Sequence, residues 1–195
     1  MDFPFILDYA RQTMAENPPR QREIGMDGRL AILFNLVALL GESYEGEGWT
    51  IERADMAGML TTSYGIVQYQ TQNWGEELRF TQSYKKWKHF NPVIDVAITD
   101  KGGAWLGLGL YQQFDMDING TPLFVGFTMV PGIYMQGEDV DLGIPLQFRS
   151  GVEMGVRFEN GWQASLSFDH RSNADVVPWN PGLETIQLRI SKSFN

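Results

Sequence analysis

From about residue 62 onward the chain alternates apolar and polar side chains with a period of two, the repeat of a strand that buries one face. Phe148, Val152, Met154, Val156 and Phe158 alternate with Gln147, Arg149, Gly151, Glu153, Gly155 and Arg157. Asn160-Gly161 interrupts the run with a hairpin turn signal, after which Trp162, Ala164, Leu166 and Phe168 oppose Gln163, Ser165, Ser167 and Asp169. The final stretch repeats the pattern, with Ile186, Leu188, Ile190 and Phe194 against Thr185, Gln187, Arg189, Ser191 and Ser193. Earlier strands are predicted over 62–71, 76–85, 91–99, 104–115 and 121–135, separated by Asn73-Trp74-Gly75, Lys101-Gly102-Gly103 and Asn119-Gly120. The total is eight strands, all joined by short turns. Eight is the number of the smallest closed up-and-down barrel, and an even antiparallel count is what bacterial membrane barrels use.

The first sixty residues read differently. Phe3, Phe5, Ile6, Tyr9, Ala10 and Met14 form a rough helical stripe that Asn17-Pro18-Pro19 would stop. A second helical or signal-like segment is expected over 27–40, where Leu30 to Phe34 and Leu36 to Leu40 flank Asn35 behind Arg20, Arg22 and Arg29. The expected organisation is therefore a mainly helical N-terminal extension over 1–60 and a barrel over 61–195.

Periodicity alone leaves open which face of the barrel is apolar. A soluble eight-stranded barrel turns its apolar side chains inward, whereas a membrane barrel turns them toward lipid and keeps polar groups inside. The mixed charges and amides of Arg149, Glu153, Arg157, Asp169, Arg171, Gln187 and Arg189 could pair as an interior network. Gly107, Gly109, Gly126, Gly132, Gly151 and Gly155 share those faces, where a narrow lumen needs small residues. Trp105 and Tyr111 read as interface anchors at strand ends. These features favour a membrane barrel over a lipocalin-like soluble binder.

Composition narrows the function classes. The 195 residues carry 15 Lys and Arg against 24 Asp and Glu, a formal charge of −9, the wrong sign for a nucleic-acid binder. There is no cysteine, so disulfides, thiolate metal sites and cysteine nucleophiles are excluded.

Two histidines exist. His89 lies in Lys85-Lys86-Trp87-Lys88-His89-Phe90, a basic aromatic turn that reads as a solvated or headgroup-facing loop. His170 ends the seventh predicted strand, and Ser172, two residues on, points to the same side, continuing the apolar face of Leu166 and Phe168. Glu184 opens the eighth strand on the face of Ile186, Leu188 and Ile190. A hydroxyl, an imidazole and a carboxylate on one surface are the parts of a hydrolytic triad, and adjacent strands can bring opposed side chains into contact. The competing reading makes them the polar rim of a barrel where strands leave the membrane.

His170-Arg171-Ser172-Asn173-Ala174, followed by Asn180-Pro181-Gly182-Leu183-Glu184 and a last alternating strand, resembles the C-terminal motif of the PagL family of outer-membrane lipid A 3-O-deacylases. The likeness extends through Gly132, Asp141-Leu142-Gly143, Phe148-Arg149, Gly155 and Asn160-Gly161, covering 91–194 well and 62–90 weakly. The resemblance implies an integral outer-membrane serine esterase that releases the 3-position acyl chain of lipid A. It implies Ser172 as nucleophile, His170 as base and then acid, Glu184 as orienter of the imidazole, Asn173 in the oxyanion hole and Asn180 shaping the loop above. It implies no metal and no organic cofactor. Lipid A or lipopolysaccharide and the membrane are the expected partners, and nucleic acid is not one. The alternative is a catalytically idle barrel that serves as a structural or accessory subunit, as a homodimer or in a larger membrane complex docked through residues 1–60, retained in another membrane.

Overall fold

The computed structural model describes residues 43–70 and 72–194. Ten strands run along this part of the chain: β1 (Tyr44–Gly46), β2 (Trp49–Arg53), β3 (Gly58–Tyr69), β4 (Gln72–Ser83), β5 (Asn91–Thr99), β6 (Ala104–Ile118), β7 (Thr121–Met135), β8 (Leu146–Arg157), β9 (Trp162–Ser172) and β10 (Leu183–Phe194). From β3 onward each strand pairs antiparallel with the next, and β10 pairs with β3 from Glu184↔Gln68 to Phe194↔Gly58, which closes an eight-stranded barrel. The β5–β10 strands lie where the alternation predicts them. The first two barrel strands begin four residues earlier than the predicted 62 and 76. A register shift between Val67 and Gln68 breaks the regular pattern there.

The two predicted helices over 2–16 and 27–40 lie outside the described residues. Within the remainder of the predicted extension the expectation of helix is corrected, because residues 44–53 form the β1–β2 hairpin. Its position has a simple cause. β5 has nine residues and β6 fifteen, so β5 leaves the edge of β6 bare beyond Tyr111. β2 covers that edge from Arg53↔Phe114 to Trp49↔Ile118, satisfying backbone groups that an open edge would expose.

The barrel is inside out relative to a soluble one. Leu106, Leu108, Met154, Leu166 and Leu188 are each more than half exposed, and Arg79, Asp95, Gln147, Arg149 and Gln187 are fully buried. The strands carry four buried carboxylates, Glu77, Asp95, Glu153 and Asp169, and four buried guanidiniums, Arg79, Arg149, Arg171 and Arg189. They neutralise one another: Arg79 bonds Asp95 at 2.7 Å and Asp169 at 2.8 Å, Arg149 bonds Glu77 at 2.7 Å, Arg171 also bonds Glu77, and Arg189 reaches Glu153 at 3.2 Å. Charges taken out of water persist only when paired and hydrogen-bonded in this way.

Trp105 and Tyr111 are not interface anchors. Both are 2% exposed and face the lumen, where Trp105 Nε1 donates to Asp95 at 2.8 Å and the Tyr111 hydroxyl to Gln113 at 3.0 Å. The lumenal glycines make room for them: a Cβ on Gly132 would meet the Trp105 ring at 2.7 Å, and one on Gly126 the Tyr111 hydroxyl at 2.4 Å. The narrow lumen needs small residues here because Gly126 and Gly132 seat its two large rings.

The turns at 100–103, 136–145 and 173–182 gather at one end of the barrel, opposite the start of β3 and the end of β10. Leu142 of the 136–145 loop is 2% exposed and joins Val130, Tyr134, Trp105 and Leu183 in an apolar cluster that plugs this end.

Candidate functional site on the barrel wall

His170 and Glu184 face outward near the plugged end. β9 and β10 place them directly opposite each other, and the imidazole Nδ1 lies 3.3 Å from the carboxylate Oε1. Their side chains are 13% and 23% exposed, sheltered though they stand on the apolar outer wall. Leu166 and Phe168 precede His170 on that wall, while Asp169 and Arg171 point into the lumen charge network. The alternation of the sequence thus sets the sidedness of the pair, and the register of β9 on β10 sets its contact.

Ser172 ends β9 two residues beyond His170, on the same face, and is 8% exposed. Among the described residues its hydroxyl makes no hydrogen bond to the imidazole. Gly182 orients the ring. It sits just before β10, level with Ser172 since Leu183 pairs with Arg171, and its φ of +66° is in the region that favours glycine. A Cβ there would lie 2.8 Å from His170 Cε1 and 3.5 Å from Nε2. Nδ1 is therefore turned to Glu184, and the Cε1–Nε2 edge to the level of Ser172.

Asn173 and Asn180 build the loop above. Asn173 is fully buried, and its side-chain amide donates to the carbonyls of Leu142 at 2.9 Å and Trp179 at 2.6 Å. Its backbone N–H donates to Asn180 Oδ1 at 2.9 Å, and Asn180 Nδ2 donates to Asp175 at 2.9 Å. All three donors of Asn173 are thus engaged, one in tying 136–145 to 173–182 and two in holding 173–182 together. Ala174 and Asp175 both have positive φ, 55° and 61°, and Val176 N–H donates back to Asn173 O at 3.1 Å. This is a tight primed turn made without glycine, which stores backbone strain directly after Ser172. In the neighbouring loop, burial pushes the Asp139 carboxyl above its ordinary value against the opposing effect of the Thr99 hydroxyl that bonds it.

Two residues beside the pair escape a reading of the sequence alone. Ser150 on β8 is the register partner of His170, and Gln68 on β3 is that of Glu184, so Ser150, His170, Glu184 and Gln68 form one row across four strands. The only sequence signal for Ser150 is a serine at an apolar position between Phe148 and Val152. His89 lies remote in chain and fold, in the exposed turn between β4 and β5 at the opposite end of the barrel. Among the described residues no group of His, Asp and Glu is arranged to hold a metal ion.

A closed barrel with a charged lumen, an apolar exterior and a sheltered imidazole–carboxylate pair on that exterior is a membrane-type β-barrel with a polar site facing lipid. The sequence profile of the lipid A 3-O-deacylase (PagL) family matches residues 56–193. The chain belongs to that family. The crystal structure of the outer membrane enzyme PagL superimposes with a TM-score of 0.57 at 20% identity, covering 70% of this chain and 99% of that one. Neisserial surface protein A (NspA) aligns at 11% identity with a TM-score of 0.46, over 79% of this chain and 100% of that one. No curated protein matches the chain.

Proposed function

We propose that this protein is an outer-membrane esterase that hydrolyses the 3-O-linked acyl chain of lipid A, with Ser172, His170 and Glu184 as its triad. The observation that carries the reading is the His170–Glu184 contact of 3.3 Å on the lipid-facing wall, with Ser172 on the same face. A carboxylate and an imidazole on a hydrocarbon-facing surface cost a few kcal/mol each unless paired or near an interface. A catalytic task accounts for keeping them there.

In the proposed reaction His170 Nε2 takes the proton of the Ser172 hydroxyl as Oγ attacks the ester carbonyl. The imidazolium then protonates the departing sugar oxygen as the C–O bond breaks, leaving the acyl group on Ser172. Water, deprotonated by the same imidazole, hydrolyses that acyl-enzyme and releases the fatty acid. Glu184 holds Nδ1 and stabilises the imidazolium throughout. These steps use side chains and water alone. A resting serine–histidine contact that closes only around bound substrate is compatible with this chemistry. Asn173 and Asn180 support it by fixing the loop above the serine, and a direct oxyanion role for Asn173 would require it to release one of its loop carbonyls.

The outward position suits the substrate. An acyl chain of lipid A lies within the leaflet, so a nucleophile on the barrel wall meets the ester without drawing the lipid out of the membrane. The test is mass spectrometry of lipid A from cells that produce the wild type or Ser172→Ala. Loss of one hydroxyacyl chain with the wild type and none with a folded Ser172→Ala barrel is the expected result. Identical lipid A in both would overturn the proposal.

A further inference from the structure

We infer that Ser150 is a second working hydroxyl of this site, donating a hydrogen bond to the carbonyl oxygen of the ester as it becomes an oxyanion. The inference rests on the reading of Ser172 as nucleophile.

The side of the wall on which Ser150 stands is fixed by its neighbours. Arg149 is fully buried on Glu77, and a Cβ on Gly151 would meet lumenal Asp169 at 2.4 Å, so Ser150 between them faces outward. Of the other outward residues of β8, Leu146 at 41% and Met154 at 59% are exposed and Phe148, Val152 and Val156 are half-buried, yet Ser150 is 7% exposed. It is thus a polar side chain sunk into the lipid-facing wall. Among the described residues its hydroxyl has no hydrogen-bond partner. A hydroxyl without a partner on this wall is available to a bound acceptor, because away from water an unmade hydrogen bond is unfavourable.

The position is specific. Ser150 and Glu184 flank His170 from opposite sides, one on β8 and the other on β10. Since Phe148 is the partner of Ser172, Ser150 lies on the diagonal from the nucleophile. Diagonal neighbours are separated by about 7–8 Å, and opposed ones by about 4.5–5.5 Å between Cβ atoms. An ester carbon bonded to Ser172 Oγ carries its oxygen one bond further, and an O–H···O bond of about 2.7 Å spans the remainder. The alternative donor nearest in sequence is occupied, because every N–H of Asn173 is bonded within the loops. No proton is transferred to or from Ser150: it donates more strongly as negative charge grows on the oxygen, which is the condition for lowering the barrier and not merely binding substrate.

The experiment compares the full-length protein in detergent micelles with Ser150→Ala, Ser150→Thr, Ser150→Val and Ser172→Ala, following fatty acid released from purified lipid A. A second readout is the rate at which a p-nitrophenyl alkylphosphonate labels Ser172, followed by intact mass. Loss of one donor lowers kcat by about 10²- to 10³-fold. The expected result is that fall in Ser150→Ala with KM within about twofold, a parallel fall in phosphonate labelling, and recovery in Ser150→Thr. Thr and Val have the same shape, so if Ser150→Ala fails to fold, an active Thr variant beside an impaired Val variant carries the same conclusion. Wild-type kcat in Ser150→Ala or Ser150→Val, with Ser172→Ala inactive, overturns the role of Ser150 and leaves the triad standing. Activity retained in Ser172→Ala overturns the triad, and the inference with it.

Discussion

His170 and Glu184 are directly opposed across β9 and β10, and Nδ1 of the imidazole lies 3.3 Å from the carboxylate. A contact of this kind on the outside of a barrel fixes the direction of the ring. With Nδ1 turned to Glu184, Nε2 is directed to the level of Ser172, where the proposed reaction needs a proton acceptor. Replacing Glu184 with glutamine keeps the shape and removes the charge that stabilises the imidazolium in the proposed reaction. The kcat for ester hydrolysis should fall by about 10²–10⁴-fold, as expected when such an orienting carboxylate is neutralised. Steady-state kinetics on lipid A checks it, and an unchanged kcat would show that Glu184 plays no part in the chemistry.

Gly182 bears on the same ring from above. Alanine there meets His170 Cε1 at 2.8 Å and also strains a backbone with φ +66°, so two effects are combined. Gly102 separates them, since it has φ +76° and nothing within 4 Å of the added Cβ. Both alanine variants should lose about 1 kcal/mol of stability through the backbone. Only Gly182→Ala should lose activity, by about tenfold or more, because a displacement on the order of 1 Å at a catalytic group is costly. Equal activity in the two variants would mean that Gly182 does not position the imidazole.

The lumen network predicts an asymmetry between buried and exposed ion pairs. Arg79 bonds Asp95 and Asp169 with no exposed surface, whereas Arg157 and Asp115, 2.9 Å apart, are 33% and 26% exposed. Arg79→Ala leaves buried carboxylates short of a partner and should cost about 3–5 kcal/mol. Arg157→Ala should cost less than about 1 kcal/mol. Urea unfolding of the barrel in micelles, read by tryptophan fluorescence, would measure both, and comparable losses would contradict the buried network.

Much of this architecture is written in the period of the chain. Strict alternation from Phe148 to Phe158, Trp162 to Asp169 and Thr185 to Phe194 places those strands within three residues of where they lie, because neighbouring side chains on a strand must face opposite media. The strands before residue 90 were less legible. Their alternation is disturbed by the register shift at Val67/Gln68, and only the long pairing with β10 pins them. Aromatic residues mislead for a related reason: Trp105 and Tyr111 look like interface anchors until they are set beside the glycines of the neighbouring strand β7 that seat them on the lumen side.

The sequence by itself determined that alternating strands fill this part of the chain and that His170, Ser172 and Glu184 share one face, since strand parity is local and survives any fold built from these strands. It determined the turn and loop residues too, in the motif from His170 to Glu184. Only the tertiary structure decided that the polar face turns inward, because the same alternation serves either orientation until four carboxylates and four guanidiniums are seen to pair across the lumen. Tertiary structure likewise decided which side chains meet. Register between strands depends on closure of the whole barrel, so the contact of His170 with Glu184, the place of Ser150 on its other flank and the occupation of Asn173 by the loops are properties of pairing, not of any one strand.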